Sequence, residues 1–175
     1  TGVQTCALPI LSGGTQFVCE GGNGTATTMS GGTQEVFGSG TVGTLSGGEQ
    51  KVEYSGTGTV STLLGGTQNV LGNGTVMTMS GGTQKVFGNG TVMTMSGGEQ
   101  YVWKKYNGTV STMSGGTQIV SGGGRGTVST MNGGTQNVLA SGSGTVSSLT
   151  GSGLQSIAAG GTGTAASLTS GGRQI

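Results

Sequence analysis

The chain has 175 residues, of which 43 are Gly, 29 Thr and 20 Ser, and its 6 basic and 5 acidic side chains leave a net charge of +1. A near-neutral chain offers no electrostatic footprint for DNA or RNA, and no apolar run approaches the ~18 residues of a membrane-crossing helix. The Gly spacing is not three and Pro9 is the only proline, which excludes collagen.

In chain order, residues 1–10 (TGVQTCALPI) match no later block and resemble a translated sequencing-adapter scar, so the repeat region is read as residues 11–175. The N-terminus carries no basic-apolar-small secretion pattern, and the C-terminus stops in mid-motif at Arg173, Gln174 and Ile175. The chain therefore reads as a fragment of a longer repeat protein. Cys6 and Cys19 match no zinc spacing. One disulfide and two stray thiols both stand as readings, and the disulfide falls if the leader is not native.

From Leu11 onward two blocks alternate. G-G-T-Q-x-V places Gln at 16, 34, 68, 84, 118 and 136, G-G-E-Q-x-V places it at 50 and 100, and degenerate copies carry Gln155 and Gln174. The second block, G-T-V-x-T-M-S or close to it, starts with Thr at 25, 41, 59, 75, 91, 109, 127, 145 and 164. Successive Gln residues lie 16, 18 or 19 apart, and through the first seven units the variation sits only between Gln and the next block Thr, where the distance is 7 or 9. Steps of two keep every later side chain of a strand on its own face. That is the mark of loop insertion between fixed strands.

The position after Gln holds Phe17, Glu35, Lys51, Asn69, Lys85, Tyr101, Ile119 or Asn137, so it faces water, and the constant Val beyond it faces inward, with Gln on the same parity, either inward or at a corner. In T-V-x-T-M the Val also points inward, and a bend just before Met or Leu is needed to turn that residue in as well. Units of this size with Gly turns have the dimensions of one coil of a β-helix, which buries its apolar face only by stacking. The expected fold is all-β, a parallel β-helix (β-solenoid) of about ten coils of 16–19 residues, roughly 45–50 Å long at ~4.8 Å per coil. Gln16 through Gln174 form an amide ladder, and Thr15, Thr33, Thr67, Thr83, Thr117 and Thr135 an outward hydroxyl ladder broken by Glu49 and Glu99. The Gly pairs are read as corners with positive φ. Asn-Gly at 23, 73, 89 and 107 is a competing hairpin signal. It is set aside because the two blocks differ and repeat in one sense. The same four N-G-T triplets are formal glycosylation sequons, read here as turn chemistry.

One stretch departs from the repeat: Tyr101, Val102, Trp103, Lys104, Lys105 and Tyr106 fill a long connection and hold the only Trp. Tyr101, Trp103, Lys104, Lys105 and Tyr106 are candidate partner contacts, since exposed Trp and Tyr favour interfaces. The competing reading is a drifted loop folded over the edge. No catalytic constellation is expected. The chain has neither His nor Asp, and its acidic groups are Glu20, Glu35, Glu49, Glu53 and Glu99. Triads and calcium β-roll sites are thereby excluded, phosphate-cradling loops are excluded because no G-x-G string opens a helix, and no metal or cofactor is expected.

The alternation of G-G-T-Q-x-V with G-T-V-x-T-M-S over Leu11 to Ile175 resembles the AIDA-type repeats of self-associating bacterial autotransporter adhesins. The 16- and 18-residue units depart from the family's usual 19. The resemblance implies a right-handed parallel β-helix passenger displayed outside a Gram-negative cell and exported through a C-terminal outer-membrane barrel that this sequence lacks. It implies adhesion, autoaggregation, biofilm formation and virulence, with like molecules on neighbouring cells or host surface receptors as partners. It also implies O-glycosylation by a dedicated glycosyltransferase, for which Ser30, Ser46, Ser80, Ser96 and Ser114 beside the Gly pairs are the candidates. No nucleic acid is expected as a partner, and no membrane span in this stretch. Two other classes remain: an ice-binding or purely structural solenoid, disfavoured because outward columns mix Thr with Glu, Lys, Asn and Met, and a polysaccharide-binding or polysaccharide-active β-helix.

Overall fold

The computed structural model of the chain describes residues 5–175, with side chains from Ile10 onward. The chain is all-β. Seven-residue strands alternate with shorter ones, and the two kinds sort into two ten-stranded sheets in which every described pairing is parallel. Each strand pairs with the strand two places on in sequence, which is a β-solenoid of about nine turns. We call the sheet of long strands sheet A and the other sheet B. At mid-rod the elements are β9 (Asn73–Met79) and β11 (Asn89–Met95) in sheet A, with β10 (Thr83–Val86) and β12 (Glu99–Trp103) in sheet B.

Sheet pairing starts ahead of Leu11. β1 spans Thr5–Leu11 and lies parallel to β3 (Asn23–Met29), with Thr5 opposite Asn23 and Leu11 opposite Met29. Residues 5–10 of the segment set apart in the sequence thus occupy the slot of an N-G-T-x block. Cys19 is exposed and its thiol is free, whereas the Cys6 side chain lies outside the described residues.

Register follows the repeat. Gln84 stands beside Gln68 and Gln100, Val86 beside Val70 and Val102, and Met95 beside Met79 and Met113. Val, Met and Leu of sheet A form one continuous buried column set from Leu11 to Leu149, and the Val column of sheet B is buried too. The bend required before Met is present. Between β11 and β13 (Asn107–Met113) the paired residues run from Asn89 to Val92, skip Met93, and resume at Thr94 and Met95. Skipping one outward residue turns Met95 back to the core, where it is fully buried. In the last described strand of sheet A, Leu168 is 52% exposed.

The Gln column is the polar spine of the interior. Gln84 Nε2 donates to Gln68 Oε1 at 2.7 Å, and Gln100 Nε2 to Gln84 Oε1 at 2.7 Å. The second amide hydrogen points across the coil, as in the 3.3 Å contact from Gln100 Nε2 to the Gly90 carbonyl. A buried amide with its donors and acceptor engaged avoids the cost of an orphaned polar group.

The Gly pairs are less uniform than the corner reading expects. In the G-G-T-Q and G-G-E-Q copies only the second member has positive φ, as in Gly98 (φ 76), whereas in the degenerate last copy it is the first, Gly171 (φ 87). From Gly31 to Gly133 the first member lies against the coil below: a Cβ on Gly97 would stand 2.3 Å from the Ser80 carbonyl oxygen. One Gly answers a dihedral demand and the other a spatial one. The Asn-Gly pairs are not turns at all. Asn73, Asn89 and Asn107 open strands of sheet A, and their exposed amides form a second ladder, with Asn89 Nδ2 donating to Asn73 Oδ1 at 3.1 Å.

Candidate interaction surfaces

The two outer faces of the solenoid differ chemically. On sheet A, Thr25, Thr41, Thr59, Thr75, Thr91, Thr109, Thr127, Thr145 and Thr164 stand in register without a break. Three residues further along each strand runs a second column, Thr from 28 to 130 and then Ser148 and Ser167. Arg125 is the one charged residue in the described strands of this sheet. Between the Thr columns Met77 and Met93 are exposed. The outward mixing of Thr with Glu and Lys is therefore a property of sheet B, not of the whole surface.

Sheet B and the turns that follow it carry the charges. Lys51 Nζ lies 2.9 Å from Glu35 Oε1 and 2.5 Å from Glu53 Oε1. Hydrogen bonds to Glu53 and then Glu35 hold its ammonium well above the usual lysine range. Glu49 accepts a hydrogen bond from Asn69 on the next rung. Glu99 accepts one from the Tyr101 hydroxyl at 2.9 Å, which raises the phenol's pKa above its ordinary value. The two Glu residues that interrupt the Thr ladder thus each have a neutral donor.

The aromatic stretch is only partly a loop. Tyr101 and Trp103 belong to β12, and the turn proper is Lys104 to Tyr106, with Lys104 at φ 52. Trp103 stacks on Tyr101 two residues back (centroids 5.2 Å, 12° between planes) and on Phe87 of the neighbouring rung (4.9 Å, 13°). Lys104 and Lys105 are exposed, while Tyr101, Trp103 and Tyr106 are half-buried.

Connection length then shapes the surface. Rungs whose Gln lies 9 residues before the next block Thr carry an extra pair of residues in the turn after sheet B, whereas those after Gln68 and Gln84 do not. Two short turns side by side, flanked by long ones after β6 (Glu49–Val52) and β12, leave a notch. Its floor is Asn69, Leu71, Lys85 and Phe87, its walls are Tyr54 with Lys51 on one side and Lys104 with Tyr106 on the other, and it encloses about 430 Å³. Sequence reasoning found Lys104 and Tyr106 but missed the rest, which come from other coils. The pattern of 7s and 9s was the available signal.

The candidate glycosylation residues Ser30, Ser46, Ser80, Ser96 and Ser114 are all exposed and follow directly on the buried Met or Leu that closes each sheet A strand. They stack in one corner column interrupted by Leu64, and Ser96 Oγ donates to Ser80 Oγ at 3.4 Å. No family model, curated protein or solved structure matches the chain.

Proposed function

We propose that this chain is a stretch of a surface-displayed adhesin passenger, a non-catalytic rod that joins like molecules on neighbouring cells and attaches to host surface receptors. The observation that carries this reading is the unbroken, nearly charge-free hydroxyl face of sheet A. Two copies laid side by side meet no like charge over successive rungs, and hydroxyls donate and accept alike. Each rung contributes little, and the sum over the rod supplies the hold. The repeat pattern adds its likeness to AIDA-type adhesins, and with it display outside a Gram-negative cell by way of a C-terminal outer-membrane barrel. The exposed Ser column is the surface a glycosyltransferase would modify, which would make the passenger a glycoprotein and add solubility to a rod with few charges.

The test is settling of cells that display the full-length protein. Thr59→Lys, Thr91→Lys and Thr127→Lys together put one positive charge on every second rung of the face. Settling should be lost while the far-ultraviolet circular dichroism spectrum of the purified chain stays unchanged. Undiminished settling by the folded variant counts against the reading. The paired Thr columns also favour a second reading, ordering of water at an ice surface. Thermal hysteresis with faceted crystals, together with unaffected settling, would select it instead.

A further inference from the structure

We propose that the notch between the Tyr54 turn and the Tyr106 turn is a binding site for an acidic glycan, a chain of sugar residues bearing carboxylates. The volume of about 430 Å³ falls within the range of small-ligand sites. The wall turns belong to rungs three steps apart, roughly 14 Å at the spacing of stacked strands, which admits a segment of an extended chain rather than a protein domain.

The lining matches such a ligand in two respects. Phe87 lies with one ring face on Trp103 and borders the notch beside Leu71 of the next rung. Together with Tyr54 and Tyr106 it supplies the flat apolar surfaces on which the C–H faces of a pyranose rest. The cations supply the charge. Lys51 is already held by Glu35 and Glu53, but Lys85 and Lys104 have no carboxylate partner among the described residues. Two unpaired ammonium groups on neighbouring rungs, Lys85 in the floor and Lys104 in the wall of an aromatic-lined notch, favour an anion beside them. The stacking of Trp103 on Phe87 and Tyr101 fixes the rung that carries the Lys104 wall, so the site is formed before ligand arrives.

The inference stands apart from the adhesin reading, because it concerns sheet B and needs no contact between copies. Trp103 is the only Trp in the chain and reports on the notch. Titrating the whole chain with a short oligogalacturonate should change its fluorescence and give a saturable curve, whereas a maltodextrin of equal length should bind at least ~10-fold more weakly, a difference of about 1.4 kcal/mol. Lys85→Ala with Lys104→Ala should remove that preference. Inserting two glycines after Leu71 lengthens the short turn and should abolish binding of the charged oligomer while the circular dichroism spectrum is kept. Equal binding of the neutral oligomer, equal binding of a polyglutamate peptide, no saturable signal, or unchanged affinity in either folded variant overturns the proposal. Settling of displaying cells is scored separately, so failure of one proposal leaves the other readable.

Discussion

At the scale of single residues, the repeat is set by what each position cannot hold. Gly90 has an ordinary φ, so its conformational freedom is not the reason it is Gly. A Cβ there would stand 2.3 Å from Val86 Cγ2 and 3.0 Å from Gln84 Oε1, both parts of the sheet B strand packed against it. Neither side chain can swing away without leaving the core or breaking the amide ladder. Gly90→Ala should therefore destabilise the chain by about 1–3 kcal/mol, the usual range for overpacking. Gly13→Ala meets nothing within 4 Å and should change stability by no more than about 0.5 kcal/mol. Urea unfolding of the two variants side by side makes the comparison, and equal midpoints would refute it. Tyr101 offers a second check. Its phenol donates to the Glu99 carboxylate, and ionisation would set two negative charges together, so its pKa is raised. The protonated phenol is favoured in the folded state. The contribution is present below the ordinary tyrosine pKa and fades as pH rises through the higher folded value. In an alkaline absorbance titration, Glu99→Gln should shift one tyrosine step to lower pH, and coincident curves would deny the hydrogen bond its role.

At the scale of strands and turns, most of the fold was legible because identical units print the same alternation many times. One copy of T-Q-x-V cannot say which face is inside. Eight copies can, since the position after Gln accepts Phe17, Glu35 and Lys51 while the Val two after Gln never changes. The parallel register and the bend before Met95 follow from that contrast, and it puts Gln on the parity of Val, inward or at a corner, between which the buried amide ladder decides. Two features were misread. Asn-Gly signals a turn by a dipeptide rule that looks only along the chain, whereas Asn73, Asn89 and Asn107 are placed by neighbours one coil away. The first Gly of the corner pairs from Gly31 to Gly133 has an ordinary φ, and its constraint is the carbonyl beneath it, as at Gly97 over Ser80. The surface was harder still. The notch draws Leu71, Phe87, Tyr54 and Tyr106 from four successive coils, and no motif search along one unit assembles them. The alternation of short and long turns was visible, but its meaning depends on which turns are neighbours in the stack. The segregation of charge onto sheet B escaped notice for the same reason: it appears only when columns are read across rungs.

At the scale of the whole molecule, each rung touches only the rungs on either side, so stability should be close to a sum of unit and neighbour terms. The sequence allows a sharp test of this. Asn73–Gly74 and Asn89–Gly90 are identical pairs that open successive strands of sheet A. Deleting residues 75–90 joins Gly74 to Thr91 and restores N-G-T-V-M-T-M without altering any rung that remains. The shortened chain should keep its circular dichroism per residue and lose only the stability of one unit. It also lacks Lys85 and Phe87, so it should fail to bind the acidic oligomer. Deleting residues 75–89 instead leaves one extra Gly ahead of Thr91. Every position from Thr91 to Met95 is then displaced by one, which turns Val92 outward unless the strand slips against its neighbours. Slippage would in turn carry Gly97 and Gly98 away from the carbonyls over which only Gly fits. The fifteen-residue deletion should therefore unfold at markedly lower urea concentration than the sixteen-residue one, although it removes less of the protein. Equal midpoints would mean that side-chain parity does not hold the stack together, and a different account of the interior would be needed.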